Sequence, residues 1–243
     1  GDREGYILAA GMAYRGDFYP LEALSSTLVD AGWEVRLLLP ADVTHLVTDT
    51  RLRIIPMEGN MSHMVDTEAA SRFGAMGIVE KVFYMVEAMD RINAGILHPD
   101  LVQQLRADPP RLMITPFVAA YLDLADLLDT PLAVFFAQAD YTPFMSLGVT
   151  DQPVYLVPYA PQFVGYAMEE EHMTLKDRLI NTVLYAALSA ATSLVEAQRN
   201  WQRGSVGLPA IPWGRPRYSP SYDSVCLYLH NGYWGWSLPV PLP

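Results

Sequence analysis

The stretch YILAAGMAYRGDFYPLEALSSTLVDAGWEVRLLLP, Tyr6 to Pro40, has the pattern of a strand, a helix and a second strand. Tyr6 to Ala10 is a short apolar run of the kind that forms a buried strand. Pro20 to Ala31 repeats apolar residues at helical spacing and ends at Gly32, a common helix terminator. This order predicts a parallel crossover unit, whose ligand crevice lies at the carboxyl ends of the strands.

The same alternation of strand and helix patterns continues along the chain. Predicted strands cover residues 33–40, 53–56, 112–115, 131–137 and 224–229, and predicted helices cover 77–105, 118–128 and about 175–203. His98-Pro99 is expected to break the first of these helices, and Thr174 with Asp177 has the spacing of a capping box at the start of the last one. The sequence therefore predicts an α/β fold with a doubly wound parallel sheet, Rossmann-like.

Composition narrows the classes of partner. The chain has 243 residues, 51% of them apolar, and a formal net charge of −11. This charge argues against nucleic acid, because binding to phosphates needs clustered cations. The single cysteine, Cys226, cannot form an internal disulfide, and no secretory signal pattern is present. A cytoplasmic or other reducing compartment is expected.

Membrane contact is expected to be peripheral if it exists. The longest uncharged run without proline or glycine is LINTVLYAALSAATSLV, Leu179 to Val195, and it is interrupted by polar residues. It is shorter than the ~20 residues that a spanning helix needs. An amphipathic helix of this kind packs on a core or lies on a bilayer surface.

Motifs for bound phosphates or metals are missing from the sequence. Gly11 and Gly16 follow the first predicted strand, but their spacing is not G-x-G-x-x-G. The chain contains no phosphate-binding G-x-x-x-x-G-K-[ST], no H-E-x-x-H and no cluster of Cys and His. We therefore expect neither a dinucleotide cofactor nor a metal. Among the scattered histidines, His63 is the best placed to line the crevice, because it follows the third predicted strand.

Asp17 is the one carboxylate with a mechanistic use at the predicted crevice. It follows the first strand, where a general base could reach a substrate hydroxyl. Aspartate is also a favoured N-cap, and the positive end of a helix weakens a carboxylate as a base. Burial against Tyr14, Phe18 and Tyr19 would oppose that effect by desolvation. The local residues leave both roles, cap and base, open.

The stretch YRGDFYPLEALSSTLVDAGWEVRLLLP, Tyr14 to Pro40, resembles the opening of UDP-sugar glycosyltransferases of the GT-B class. The resemblance is strongest to the sterol and glycopeptide-antibiotic branch, which runs T-R-G-D-V-x-P, then a helix, then A-G-H-x-V. Arg15-Gly16-Asp17, Pro20 and Ala31-Gly32 match this pattern. Trp33 stands where the family usually has His.

Four further segments resemble the same family in the same order. The first resembles the family's third-strand segment, which ends in P-L-x-G-D-P, with Asn60 in place of Asp. The second resembles the segment that leads to a G-I-P-x-V strand. The third resembles the R-x-x-L-G-L-P-P ending of a long helix, and the fourth resembles the final strand and its P-R-P-L-P-P linker. They are RIIPMEGNMSHMV (53–65), RLMITPFVAAYLDLADLLDTPLAVFF (111–136), LVEAQRNWQRGSVGLPAIPW (194–213) and VCLYLHNGYWGWSLPVPLP (225–243). The resemblance covers nearly the whole chain.

The resemblance implies the N-terminal, acceptor-binding half of a GT-B fold. Residues 1–243 would form a single Rossmann-like domain, with 205–243 as an aromatic and proline-rich closing segment and linker. The C-terminal nucleotide-sugar domain of the family follows that linker and is absent from this sequence. It would be supplied in trans or by a longer chain. Without it the leaving group has no electrostatic stabilisation, so this chain alone is expected to be inactive.

The resemblance also implies roles for individual residues. Asp17 would be the general base of an inverting transfer of a hexose from a UDP-sugar, a co-substrate that needs no metal here. Arg15 and Gly16 would belong to the loop that contacts the donor. A small apolar acceptor, sterol-like or lipid-like, would contact Tyr14, Phe18, Met57, His63, Phe117 and Gln138.

Two other interpretations remain. The departures at Trp33 and Asn60 fit a non-catalytic descendant that serves as a structural or binding subunit of a larger assembly. The aromatic tail, Ser221 to Pro239, would then be a docking surface, or else a linker packed on its own domain. An α/β enzyme complete in one domain would need a second catalytic group beside Asp17, and the sequence does not clearly supply one.

Overall fold

A computed structural model of the chain describes residues 5–11, 15–58, 75–77, 80, 87, 91–116, 119–136, 174–210 and 225–230. For residues 15–17, 119, 136, 181, 184–196, 198 and 225–230 the description concerns the main chain alone.

The described residues contain one parallel sheet of six strands in the order β3-β2-β1-β4-β5-β6. The strands are β1 Tyr6–Ala10, β2 Glu34–Pro40, β3 Arg53–Met57, β4 Leu112–Pro116, β5 Leu132–Phe136 and β6 Val225–His230. Strand β1 pairs with β2 on one side and with β4 on the other, so the direction of winding reverses there. This is the order of a doubly wound Rossmann-like fold. The predicted fold class is confirmed.

Helices connect the strands. They are α1 Arg15–Asp30, α2 Pro99–Ala107, α3 Ala119–Leu128 and α4 Leu175–Ser205, with a 3-10 helix at Ala41–Leu46 and a helical segment at residues 91–96. His98 is the N-cap of α2 and separates it from residues 91–96. The break predicted at His98-Pro99 is therefore confirmed.

Helix α1 begins five residues earlier than the sequence predicts, at Arg15 instead of Pro20. Proline favours the first turn of a helix, because it has no N–H to donate to the preceding turn. Here Pro20 lies inside the helix. Phe18 and Leu21 are both buried in the core next to the sheet. Their burial offsets the hydrogen bond that Pro20 cannot make.

The hydrophobic core lies between α1 and one face of the sheet. Alternate residues of β1 and β2 point to this face and pack against Phe18 and Leu21 of α1; these strand residues are Ile7, Ala9, Val35, Leu37 and Leu39. All five residues of β1 are buried, so the opposite face of this strand is covered as well. Burial on both faces is typical of parallel sheets.

The chain divides into two compact units. The first contains residues 1–138 and 223–231, including all six strands, and the second contains residues 139–222 and 232–243, including α4. In the second unit the predicted capping box is present, because Asp177 N–H donates to Thr174 Oγ1 (3.2 Å) and Thr174 N–H donates to Asp177 Oδ2 (3.0 Å). Hydrogen bonds from Thr174 lower the pKa of Asp177. None of the helices in the described ranges has the length and hydropathy that crossing a bilayer requires.

We expect Gly95→Ala to lower the free energy of unfolding by about 1–3 kcal/mol. Gly95 lies in the helical segment 91–96, and a Cβ on it would overlap the carbonyl oxygen of Glu58, which follows β3. The obstacle is main chain, so the helical segment or the strand end has to move. Urea denaturation measures the change.

Gly204→Ala is the matched control for this substitution. Gly204 is also helical, but a Cβ there meets nothing within 4 Å. Because alanine is the better helix former, this variant should gain up to about 1 kcal/mol. If the two variants changed stability in the same direction, the close approach of Gly95 to Glu58 would be refuted.

Candidate functional site

The candidate site lies where the sheet changes its direction of winding. Ligands of doubly wound folds bind outside the carboxyl ends of the strands at this point. In the present chain it is the junction of β1 and β4, at Ala10 and Pro116. The chain leaves β1 through Gly11 and enters α1 at Arg15. The residues that fix Gly11 therefore help to determine where the first turn of α1 is placed.

Gly11 is fixed from three sides. Its N–H donates to the carbonyl of Leu38 in β2 (3.1 Å), and its carbonyl accepts a hydrogen bond from the hydroxyl of Tyr121 in α3 (2.9 Å). A Cβ at this position would lie 2.9 Å from Leu39 Cδ2 and 3.1 Å from Leu21 Cδ2. Only glycine fits such a space without displacing core leucines. The end of β1 is thus held by β2, α1 and α3 together.

Tyr121 connects α3 to two strand ends. The side chain is fully buried, and its hydroxyl lies 3.9 Å from Met57 Sδ at the end of β3, in addition to its bond with Gly11. Desolvation by burial raises the pKa of Tyr121. The hydroxyl therefore keeps its proton at physiological pH and remains a hydrogen-bond donor. Nearby in the fold, the buried hydroxyl of Thr115 on β4 has no hydrogen-bond partner within the described ranges.

Helix α1 is fastened to the loop before β3 through Glu22. This carboxylate is buried, and its Oε1 accepts hydrogen bonds from Thr48 N–H (2.5 Å), Thr48 Oγ1 (2.9 Å) and Asp49 N–H (3.0 Å). At the end of α1, Asp30 pairs with Arg51 of the same loop (2.6 Å). A buried carboxylate with several donors is stable, whereas an exposed ion pair contributes little. Glu22 is therefore the stronger of the two attachments.

Charged groups are sparse at the described part of the crevice. Glu58 follows β3, and its carboxylate lies 3.5 Å from Nε2 of His98. Both side chains are partly or largely exposed. Within the described ranges, no three His, Cys, Asp or Glu side chains come together in a way that could hold a metal ion.

Asp17 is the third residue of α1, in its first turn. Because the helix begins at Arg15, Asp17 lies within it and does not precede it as an N-cap would. Arg15 and Gly16 are the first two residues of the same turn. The side chain of Asp17 lies outside the described part of the structure, so its role as a base stays a prediction, as does the role of Arg15 and Gly16 in donor contact.

The predicted acceptor residues fall into two groups. Phe18 and Met57 are each 1% exposed. Phe18 is part of α1 and packs in the core against the sheet, and Met57 lies at the end of β3 beside Tyr121. Their contact with an acceptor stays a prediction. The others lie outside the described residues: Tyr14, His63, Phe117 and Gln138.

Sequence reasoning missed Tyr121 and Glu22. Tyr121 stands in the apolar helix AAYLDLADLL, and a buried tyrosine hydroxyl usually needs a partner. That signal was visible, but the partner, Gly11, is 110 positions away in the chain. The donors to Glu22 come from Thr48 and Asp49, which are 26 and 27 positions away in the loop before β3, so no local pattern indicates them.

No protein-family profile matches the chain, and no curated protein matches it either. Solved structures do match. Among them, the glycotransferase of kitacinnamycin is 17% identical with a TM-score of 0.52, and the match covers 95% of this chain and 51% of that one. Glycosyltransferase VinC in complex with DTDP is 17% identical with a TM-score of 0.53, covering 98% of this chain and 51% of that one. Spinosyn forosaminyltransferase SpnP is 14% identical with a TM-score of 0.57, and the match covers 98% of this chain and 49% of that one.

These comparisons concern the fold. The identities are low, but the matches extend over almost all of this chain, and the chain spans about half the length of the structures that it matches. The α/β, Rossmann-like fold of this chain is similar to the fold of about half of each of these glycosyltransferase chains.

We expect Glu22→Ala to lower the free energy of unfolding by about 2–3 kcal/mol, because the backbone N–H groups of Thr48 and Asp49 lose their acceptor. Glu34→Ala is the control in the same unit. Glu34 is half exposed and pairs with Arg36, so its loss should cost less than about 1 kcal/mol. Denaturant titration measures the free energy of unfolding of both variants and of the parent protein. Equal costs would contradict the anchoring role of Glu22.

We also expect Tyr6 and Tyr121 to ionise only at strongly alkaline pH. Burial raises the pKa of Tyr6 from 10.0 to about 12 and raises that of Tyr121 as well. Because the phenol of each tyrosine has a higher pKa in the folded than in the unfolded chain, its contribution to the free energy of unfolding is complete below pH 10. This contribution is lost as the pH rises through the folded-state pKa.

Tyrosinate absorbance during an alkaline titration measures this effect. Tyr6→Phe and Tyr121→Phe should each remove one late-titrating group and leave the groups that ionise near pH 10 unchanged. If either substitution instead removed a group that ionises near pH 10, that tyrosine would not be buried as described.

Proposed function

We propose that the chain is the acceptor-binding, N-terminal half of an inverting glycosyltransferase that uses a nucleoside-diphosphate sugar. The observation that carries this proposal is the position of Arg15-Gly16-Asp17. These residues form the first turn of α1, directly after β1, at the point where the sheet reverses its winding. The fold match to half of several glycosyltransferase chains supports the same conclusion.

In the proposed reaction Asp17 acts as the general base. Its carboxylate takes the proton of the acceptor hydroxyl while the hydroxyl oxygen attacks the anomeric carbon from the face opposite the nucleotide. The bond from that carbon to the phosphate oxygen breaks, the nucleoside diphosphate leaves, and the configuration inverts. The first turn of a helix favours the ionised form of a carboxylate, which is the form that accepts a proton. Charge on the leaving group has to be stabilised by the donor-binding half.

The donor is proposed to be a UDP-sugar or a related nucleotide sugar. The sequence resemblance favours UDP, and a structure with the same fold, VinC, was solved with DTDP. Arg15 and Gly16 are proposed to contact the donor across the crevice. The donor-binding half is proposed to belong to a longer chain or to a separate subunit, and no metal is needed in this proposal.

The acceptor is proposed to be a small apolar alcohol, sterol-like or lipid-like. Met57, at the end of β3, is one of the proposed contacts. The remaining proposed contacts come from Tyr14, Phe18, His63, Phe117 and Gln138. An apolar acceptor would be consistent with peripheral membrane contact, and the single cysteine with a reducing compartment such as the cytoplasm.

A non-catalytic subunit is the alternative, and the position of Trp33 weakens it. Trp33 precedes β2 and packs against the core, with the guanidinium carbon of Arg111 5.9 Å from its ring centre. It therefore lies at the amino edge of the sheet, away from the crevice. Replacement of the family's usual His by Trp at this position does not remove a group from the proposed site.

We expect Asp17→Asn to lower kcat by about 10²- to 10⁴-fold in the full-length protein or in a complex with the donor half, with little change in the acceptor KM. The amide keeps the shape of the side chain but cannot accept the proton. Steady-state transfer of sugar to an apolar alcohol measures the effect.

Asp30→Asn is the control for this variant. Asp30 ends the same helix, is exposed, and pairs with Arg51, so its loss should leave kcat unchanged. Equal activity of Asp17→Asn and the parent protein would overturn the assignment of the base. Absence of sugar transfer by the parent protein itself would favour the non-catalytic alternative.

A further inference from the structure

The buried hydroxyl of Tyr121 is bonded to the strand end that precedes the proposed catalytic residue, Asp17, in the chain. It donates to the carbonyl of Gly11 at 2.9 Å, and Gly11 is the last residue described before the chain reaches α1. The bond joins α3 to the end of β1. Without it, this carbonyl would have no hydrogen-bond donor among the described residues.

Asp17 lies between two fixed points of the chain. On one side is Gly11, whose N–H and carbonyl are both hydrogen-bonded and whose Cα is packed against leucine side chains. On the other side is Phe18, which is 1% exposed and belongs to the core cluster. The first turn of α1 therefore follows one anchor and contains the other's neighbours, and the hydroxyl of Tyr121 is bonded to the first anchor.

The orientation of the peptide group after Gly11 determines the direction in which the chain leaves β1. A donor aimed at the carbonyl oxygen holds that peptide plane, and loss of the donor leaves a buried acceptor that is stabilised by rotating toward another partner. Displacement of a catalytic group by about 1 Å can lower a rate about 100-fold. A hydroxyl that never touches the substrate can thus control the rate.

We propose that Tyr121 is a positioning residue for the glycosyl transfer reaction: its hydroxyl, through the carbonyl of Gly11, holds the first turn of α1 so that Asp17 reaches the acceptor hydroxyl. This inference rests on the proposed function, in which Asp17 is the base.

Tyr6 provides a matched control inside the same sheet. It is also a buried tyrosine, and its hydroxyl donates to a backbone carbonyl, that of Asp108, at 2.7 Å. This bond lies at the amino end of β1, opposite the crevice. Tyr6→Phe and Tyr121→Phe therefore remove the same kind of bond and retain the ring. Tyr6→Phe removes a bond at the amino end of β1, and Tyr121→Phe removes one at its carboxyl end.

The experiment measures kcat and acceptor KM for the full-length protein with the substitutions Tyr121→Phe, Tyr6→Phe and Asp17→Asn, together with their thermal stability. Tyr121→Phe should lower kcat about 10- to 100-fold while the acceptor KM changes less than about twofold. Tyr6→Phe should lose similar thermal stability but keep its kcat. A role for Tyr121 in stability alone would make the two variants alike in both measurements.

The double variant Tyr121→Phe/Asp17→Asn tests whether the effect passes through the base. Once Asp17 cannot accept a proton, its position no longer matters, so Tyr121→Phe should cause no further loss of kcat. Independent, multiplicative losses would overturn the proposal. Amide hydrogen exchange adds a readout that needs no catalysis: exchange at Gly11 should be faster in Tyr121→Phe than in Tyr6→Phe.

The outcomes separate this inference from the proposed function. If Asp17→Asn is inactive but Tyr121→Phe has the kcat of Tyr6→Phe, the positioning role is overturned and the proposed function stands. If Asp17→Asn keeps full activity, or the full-length protein transfers no sugar, the proposed function fails and the positioning role fails with it.

Discussion

Strand β1 is hydrogen-bonded to β2 along one edge and to β4 along the other, and all five of its residues are buried. Every other feature of the candidate site depends on this placement. The strands that follow β2 and β4 lie on opposite sides of β1, and doubly wound folds have their ligand crevice at the carboxyl end of the strands at this point. The residue that follows β1 is Gly11, and the leucine side chains around it leave no space for a Cβ atom.

Buried polar groups then define the geometry around that strand end. The hydroxyl of Tyr121 and the carboxylate of Glu22 are both removed from water, and each is paired with backbone groups of another element. A buried polar group without partners is costly, so such contacts restrict the alternative packings of α1 and α3. Apolar contacts between α1 and the sheet, such as those of Phe18 and Leu21, stabilise the fold but tolerate small shifts. The polar contacts specify position more narrowly.

The position of Asp17 inside α1 excludes the role of N-cap and leaves its proposed role as a base. Its place in the first turn of α1 is where the helix dipole stabilises a carboxylate, and the same turn is at the mouth of the proposed crevice. A carboxylate in the first turn of a helix is a weaker base. In the proposed reaction, accurate placement of the acceptor hydroxyl therefore matters more than the strength of the base. This dependence on placement is the reason why we propose a role in the reaction for a remote contact such as that of Tyr121.

The sequence by itself determined the elements: the six strands, the break at His98, and the start of α4 at the capping box of Thr174 and Asp177 were all predicted within a few residues. These features depend on local periodicity and on contacts between near neighbours, which a sequence displays directly. The tertiary structure decided the order of the strands, the early start of α1 with Pro20 inside it, and the partners of Glu22 and Tyr121. Each of these depends on contacts between distant parts of the chain, such as the 110 positions between Gly11 and Tyr121, and burial of Phe18 and Leu21 outweighs the local preference of proline.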